Sequence, residues 1–223
     1  MSNPTVCAVM LVNGRPEMVK RAIRSFREQT YVEKSLLIWD TTRPYPLEIE
    51  LLENEHRVED VPDYTIGELR NRANAWHYAD EDIICHWDSD DWSYPRRIEE
   101  QVALLQASGK ECVGYRDMLF WNERAWADVT IHSHNSYIGE AWLYSNNDPR
   151  YCLGTSLCYW RKAWGARPFP DEPKHRGGTG EDVEWLRGAK SLGVCVRDER
   201  PSRAGANPAW SASSFEAIVW PFS

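Results

Sequence analysis

The chain has 223 residues, a mass of 25.9 kDa, a formal net charge of −8 and a pI near 5.3, a size that fits one domain around one core. A 42% hydrophobic and 12% aromatic content excludes a disordered chain, and the acidic balance excludes a protein that grips nucleic acid by bulk electrostatics, which needs many Lys and Arg against phosphate. The longest apolar runs reach about seven residues, against the roughly 20 of a membrane-spanning helix, and no Lys or Arg precedes the first of them as in a secretory leader, so a cytoplasmic location is expected.

Residues 5–12 (TVCAVMLV) form a β-branched apolar run closed by Asn13, Gly14 and Pro16, and read as a buried strand. Val19, Ala22, Ile23 and Phe26 follow at helical spacing, and residues 36–39 make a second strand. Strand, helix, strand is the crossover that a parallel sheet requires, so the first half is α/β. Ile66, Leu69, Ala73 and Trp76 predict another helix, and residues 82–86 (DIICH) a central strand. Pro95 suits the first turn of a helix with Ile98, Val102 and Leu105 on its face, ending near Gly109. A strand starts at Cys112, and residues 115–159 read as a β-rich layer carrying aromatic residues. A Gly-rich turn at 176–180 leads into a short helix from Glu181 through Ala189 and a small strand at 194–196; the tail after Pro201 reads as irregular. The six cysteines show no CxxC or zinc-type spacing and read as buried, reduced thiols.

The chemistry concentrates at Asp88-Ser89-Asp90-Asp91, directly after the third predicted strand, because open α/β sheets bind ligands outside the carboxyl ends of their strands. Three carboxylates in four residues repel one another unless a cation or strong donors offset them, and hard oxygen ligands suit Mg2+ or Mn2+. A solvated acidic turn in which Asp91 caps the next helix is the plainer alternative. No G-x-G-x-x-G follows the first strand, so a nicotinamide cofactor is unsupported.

Four pieces in chain order resemble glycosyltransferase family 2, a group of GT-A fold: the opening strand and helix, LLIWDTT ending its strand in Asp40, G-E-L-R-N at 67–71 together with WDSDDW, and Gly180-Glu181-Asp182. The resemblance implies a single GT-A (Rossmann-like) domain over residues 1–223, with a mostly parallel central sheet flanked by helices. Residues 1–118 would form the half that binds the nucleotide-sugar, and 119–223 a β-rich, aromatic acceptor-side half. It implies that Asp40, Arg70, Asn71, Asp88 and Ser89 serve the donor nucleotide, with Asp90 holding Mn2+ or Mg2+ and Asp88 a second metal candidate. Asp182 would be the catalytic base of an inverting transfer, with Glu181 and Trp185 beside it on the acceptor side. The expected partners are a nucleotide-sugar donor, UDP-linked by preference, and a hydroxyl acceptor: a glycan, a lipid-linked sugar or a hydroxymethylated base in viral DNA.

The sequence departs from the family in one respect. Relatives carry a further metal-ligating His after the acidic pair, and the comparable stretch at 203–207 has none. Water and phosphate oxygens, His132 or His134 are the alternatives for completing the metal shell. Lys174, His175 and Arg176 with the adjoining glycines could close over a diphosphate, or form an ordinary flexible loop. Trp121, Trp126, Trp142, Trp160 and Trp164 offer flat faces for sugar rings or bases, or fill the core. A Mg2+ phosphatase and a non-catalytic sugar-nucleotide or glycan-binding module are the rival functions.

Overall fold

The computed structural model describes residues 3–44, 47–60, 63–76, 81–121, 136–138, 141–171, 180–194 and 219–221. Along the chain run β1 (Val6–Val12), α1 (Pro16–Arg27), β2 (Lys34–Asp40), β3 (Glu55–Glu59), α2 (Ile66–Ala75), β4 (Ile83–His86), α3 (Arg97–Ser108) and β5 (Cys112–Tyr115). They are followed by β6 (Asp117–Trp121), β7 (Ser136–Ile138), β8 (Ala141–Ser145), β9 (Cys158–Trp160), α4 (Arg161–Ala166), α5 (Glu181–Gly188), β10 (Ser191–Val194) and β11 (Val219–Pro221).

The main sheet has the order β10-β5-β9-β4-β1-β2-β3. Its strands run in parallel except for β9, which is antiparallel to both β4 and β5. β1 is almost wholly buried because helices cover both sheet faces. Successive side chains of a strand point to opposite faces, so Val6, Ala8, Met10 and Val12 share one cluster with Ile23 and Phe26 of α1 and Ile98 and Leu105 of α3. Cys7 and Val9 join Leu69 of α2 and Trp185 and Leu186 of α5 in the other.

Local chemistry sets the ends of these elements. Gly14 and Arg15 both have positive φ, 76° and 55°, and turn the chain from β1 into α1 with Pro16 in the first helical turn. The hydroxyl of Thr65 accepts the Glu68 amide at 3.1 Å and caps α2. Gly109, with φ 61°, closes α3 in the left-handed conformation that a side chain would oppose.

The expected α/β architecture is present, with four differences. The polar edge strand β3 has no predicted counterpart. β9 lies inside the main sheet rather than in the aromatic layer, whose strands form a separate sheet of order β11-β6-β8-β7. α3 begins at Arg97, and its capping residue Arg96 makes no side-chain cap, so Asp91 does not cap it. β10 starts three residues before the expected strand at 194–196, whose last two residues lie outside the described ones. The described cysteines, Cys7, Cys85, Cys112, Cys152 and Cys158, are buried free thiols.

Candidate active site

The parallel strands β1, β2 and β4 end together, and the acidic motif continues from β4. Asp88, Ser89 and Asp90 are half-buried, whereas Asp91 is 2% exposed. Burial pushes the Asp88 carboxyl up to about 6, with Arg70 opposing the rise and Asp90 adding to it. Burial and then Asp88 raise Asp91 well above an ordinary aspartate. Asp91 accepts a short hydrogen bond from the Thr155 hydroxyl through Oδ2, and its buried Oδ1 has no hydrogen-bond partner. Asp90 pairs with Arg15, whose Nη1 contacts its Oδ2.

A short 3-10 turn at Gly154–Ser156 faces this motif and is tied to it by a buried arginine that sequence reasoning missed. Arg97 is 0% exposed; its Nη2 donates to the carbonyls of His86 at 2.7 Å and Thr155 at 2.9 Å, and its Nη1 to Ser93 Oγ at 2.9 Å. The His86 ring lies 2.7 Å from the Gly154 carbonyl through Nδ1 and 3.2 Å from the Tyr159 hydroxyl through Nε2. The same Nδ1 lies 2.9 Å from Arg70 Nη1, which can only donate, so the ring is held between a guanidinium donor and a carbonyl acceptor. Burial, reinforced by Arg70, holds the ring neutral by lowering its pKa.

The second acidic pair begins α5. Glu181 is 2% exposed; Arg70 Nε donates to its Oε1 at 3.0 Å, and its buried Oε2 has no hydrogen-bond partner. Asp182 follows, its carboxyl raised by burial and by Glu181 against the pull of Arg70. Burial opposes the charge of Arg70, but Asp88, Glu181 and Asp182 together raise its pKa above the ordinary arginine value. One guanidinium thus links the motif after β4 to the start of α5. The Asp182 carboxylate packs directly on Gly154, where an added Cβ would stand 2.1 Å from Oδ2. A cleft of about 320 Å³ opens against α5, lined by Arg150, Tyr151, Val183, Leu186 and Arg187.

The remaining predicted residues play other parts. The two oxygens of Asp40 accept the backbone amides of Thr42 at 2.9 Å and Leu47 at 3.1 Å, so this side chain shapes the loop after β2. Asn71 holds the segment after α4: it donates to the Phe169 carbonyl at 2.8 Å and accepts from Trp164 Nε1 and the Phe169 amide, each at 2.9 Å. Trp185, expected at the acceptor, is instead core: it is 1% exposed, stacks on Phe169 at 5.1 Å and donates to the Arg167 carbonyl at 2.6 Å. Its position on α5 turns it under the sheet rather than toward solvent. Trp160 and Trp164 are likewise packed against the core clusters. His132, His134, Lys174, His175, Arg176 and the 203–207 stretch lie outside the described residues.

A divalent ion suits this donor set. The carboxylates after β4 are hard oxygen ligands, and the unpartnered Asp91 Oδ1 is a buried acceptor in need of a cation or donor. Among the described residues no three His, Cys, Asp or Glu side chains converge to enclose a metal, so water and phosphate oxygens would complete its shell.

A doubly covered, mostly parallel sheet with carboxylates beyond its strand ends defines an open α/β protein of the kind that binds ligands at that end. The model of the family "Glycosyl transferase family 2" matches residues 7–163, and the chain belongs to that family. Asp182 lies beyond the matched residues. Among solved structures, S. aureus TarS 1-349 in complex with UDP-GlcNAc aligns with a TM-score of 0.61 at 12% identity, covering 98% of this chain and 59% of that one. S. aureus TarS itself aligns at 0.59 and 13% identity, over 86% and 35% of the two chains. A Pyrobaculum calidifontis mannosyltransferase in complex with GDP-Man and Mn2+ aligns at 0.58 and 11% identity, over 87% and 55%. The chain therefore spans between about a third and three-fifths of the length of these structures, which share its fold. No curated protein matches the sequence.

Proposed function

We propose that the protein is an inverting glycosyltransferase that moves a sugar from a nucleotide-sugar donor to a hydroxyl acceptor with the help of Mn2+ or Mg2+. The observation that carries this reading is the packing of the Asp182 carboxylate on Gly154, in the same turn whose Thr155 hydroxyl bonds Asp91 of the acidic motif, while Arg70 holds the neighbouring Glu181 at 3.0 Å. Asp90 and Asp88 are the residues that would hold the metal, and a bound ion would neutralise charge on the departing diphosphate. Asp182 would take the proton of the acceptor hydroxyl as its oxygen attacks the anomeric carbon, so one displacement inverts that centre. The cleft against α5, lined in part by Val183 next to Asp182 in sequence, would be where the acceptor approaches. Arg70 holds Glu181 in place and keeps Asp182 in register with Asp88; Asp40 and Asn71 fix the loops around the donor. The donor nucleotide of the TarS complex is UDP-linked and that of the mannosyltransferase GDP-linked, so both families of sugar are candidates, with UDP-sugars preferred.

A thermal-shift panel of UDP, GDP and their sugars with and without Mn2+ tests this, because a ligand that binds only the folded state raises the melting temperature by mass action. A rise with one nucleotide that needs Mn2+ and vanishes in Asp90→Ala is expected. No rise with any nucleotide, together with release of inorganic phosphate from simple phosphoesters, would replace the transferase by a phosphatase.

A further inference from the structure

Arg15 is the residue whose placement the proposed transfer does not use. It sits between β1 and α1 with φ 55° and ψ 56°, a left-handed conformation that is strained for a residue with a Cβ and that Gly or Asn would adopt more easily. It makes no side-chain cap for α1. Its side chain instead reaches 75 residues along the sequence to the acidic motif, where Nη1 contacts Asp90 Oδ2. The two side chains are 50% and 21% exposed, so the pair faces the open end of the sheet rather than the core. Arg21 approaches the same residue from α1, Nη2 lying 3.4 Å from the Asp90 carbonyl.

We propose that Arg15 is a positioning residue that exchanges partners during donor binding: its guanidinium neutralises Asp90 until a divalent ion arrives, then turns to an oxygen of the donor diphosphate. The inference rests on the reading of Asp90 as the metal ligand. The physical argument is competition for one carboxylate oxygen. A guanidinium and a divalent ion repel each other at close range, so an ion that takes Asp90 Oδ2 competes with Arg15 for it and favours the arrangement in which Arg15 has turned away. A displaced guanidinium beside a bound diphosphate has a planar, multiply donating partner for phosphate oxygens. Arg15 therefore opposes binding of the ion alone and favours binding of nucleotide with the ion. The exposure of Arg15 means that its removal leaves the core untouched.

Calorimetric titration of the full chain with Mn2+ alone, then with UDP and GDP in saturating Mn2+, separates the two effects. In Arg15→Gln, Mn2+ alone is expected to bind about two- to fivefold tighter, the range for losing a partly exposed ion pair. The nucleotide is expected to bind roughly tenfold more weakly, as for a lost charge-assisted hydrogen bond. Arg15→Lys should recover part of both changes. Opposite signs for the two ligands are the signature. Unchanged affinities, or affinities that both weaken, would overturn the exchange and leave Arg15 as a prop for Asp90. Asp90→Ala run in parallel tells which idea has failed: loss of Mn2+ binding there keeps the donor-site reading whatever Arg15 does, and retention removes both.

Discussion

Asp182 carries the chemistry proposed for this site, and its surroundings fix how it responds to pH. Burial and Glu181 raise its pKa, so the rate should climb with pH through that raised value, since a base acts only when deprotonated. The folded chain binds this proton more readily than the unfolded chain, so Asp182 costs stability once pH exceeds the unfolded aspartate value of about 4. Asp182→Asn should consequently melt higher than the natural protein at pH 7, the gain shrinking as pH falls toward that value. The same substitution should lower turnover by about 10²- to 10⁴-fold while the nucleotide-dependent thermal shift persists; near-normal turnover would remove Asp182 from the base role. Gly154→Ala should act on the same carboxylate indirectly, because its Cβ would stand 2.1 Å from Oδ2. A loss of roughly 10²-fold in turnover with donor binding kept is expected from displacing the base by about 1 Å. The aspartates stood out as candidates in the sequence because three of them cluster directly after a predicted strand. Gly154, Thr155, Arg97 and Arg15 did not, since nothing in their local sequence reveals which distant carboxylate or carbonyl they meet.

At the scale of elements, the helices were easiest to read. The stripe of Val19, Ala22, Ile23 and Phe26 specifies a buried face by itself, and all four are buried. β3 escaped notice because EHRVE is polar and lies at the sheet edge, where only one neighbour must be satisfied. β9 escaped because its three residues, Cys158, Tyr159 and Trp160, continue the aromatic composition of the preceding layer, and direction in a sheet leaves no mark on so short a strand. What joins these elements at the site is Arg97, whose fully buried guanidinium satisfies carbonyls on β4 and on the 154–156 turn at once. Arg97→Met should destabilise the fold by about 3 kcal/mol in chemical denaturation, since several buried acceptors lose their donor together. Gly67→Ala should also destabilise, by about 1 to 3 kcal/mol, because its Cβ would lie 2.0 Å from the Pro170 carbonyl oxygen, a backbone atom that cannot swing aside.

For the molecule as a whole, the sheet gathers residues from distant parts of the chain: Arg15 after β1, Asp90 after β4 and Asp182 on α5. The described residues include no helix long and apolar enough to cross a membrane. The reversed strand β9 gives the sheet a particular order of completion. β1, β2, β3 and β4 pair directly with one another, and that block can zip up from a continuous stretch of chain. β5 meets the block only through β9, which pairs Cys85 with Cys158 on one side and Val113 with Cys158 on the other, and β10 meets it only through β5. During synthesis, β5 must therefore wait some forty residues for the strand that seats it. Native-state hydrogen exchange should find the amides of β1 and β2 slowest and those of β5 and β10 opening earlier as a unit. Because Thr155 and Asp182 arrive with the late half, a ribosome-bound chain would hold the strand ends of its first block shaped well before the proposed site could be complete.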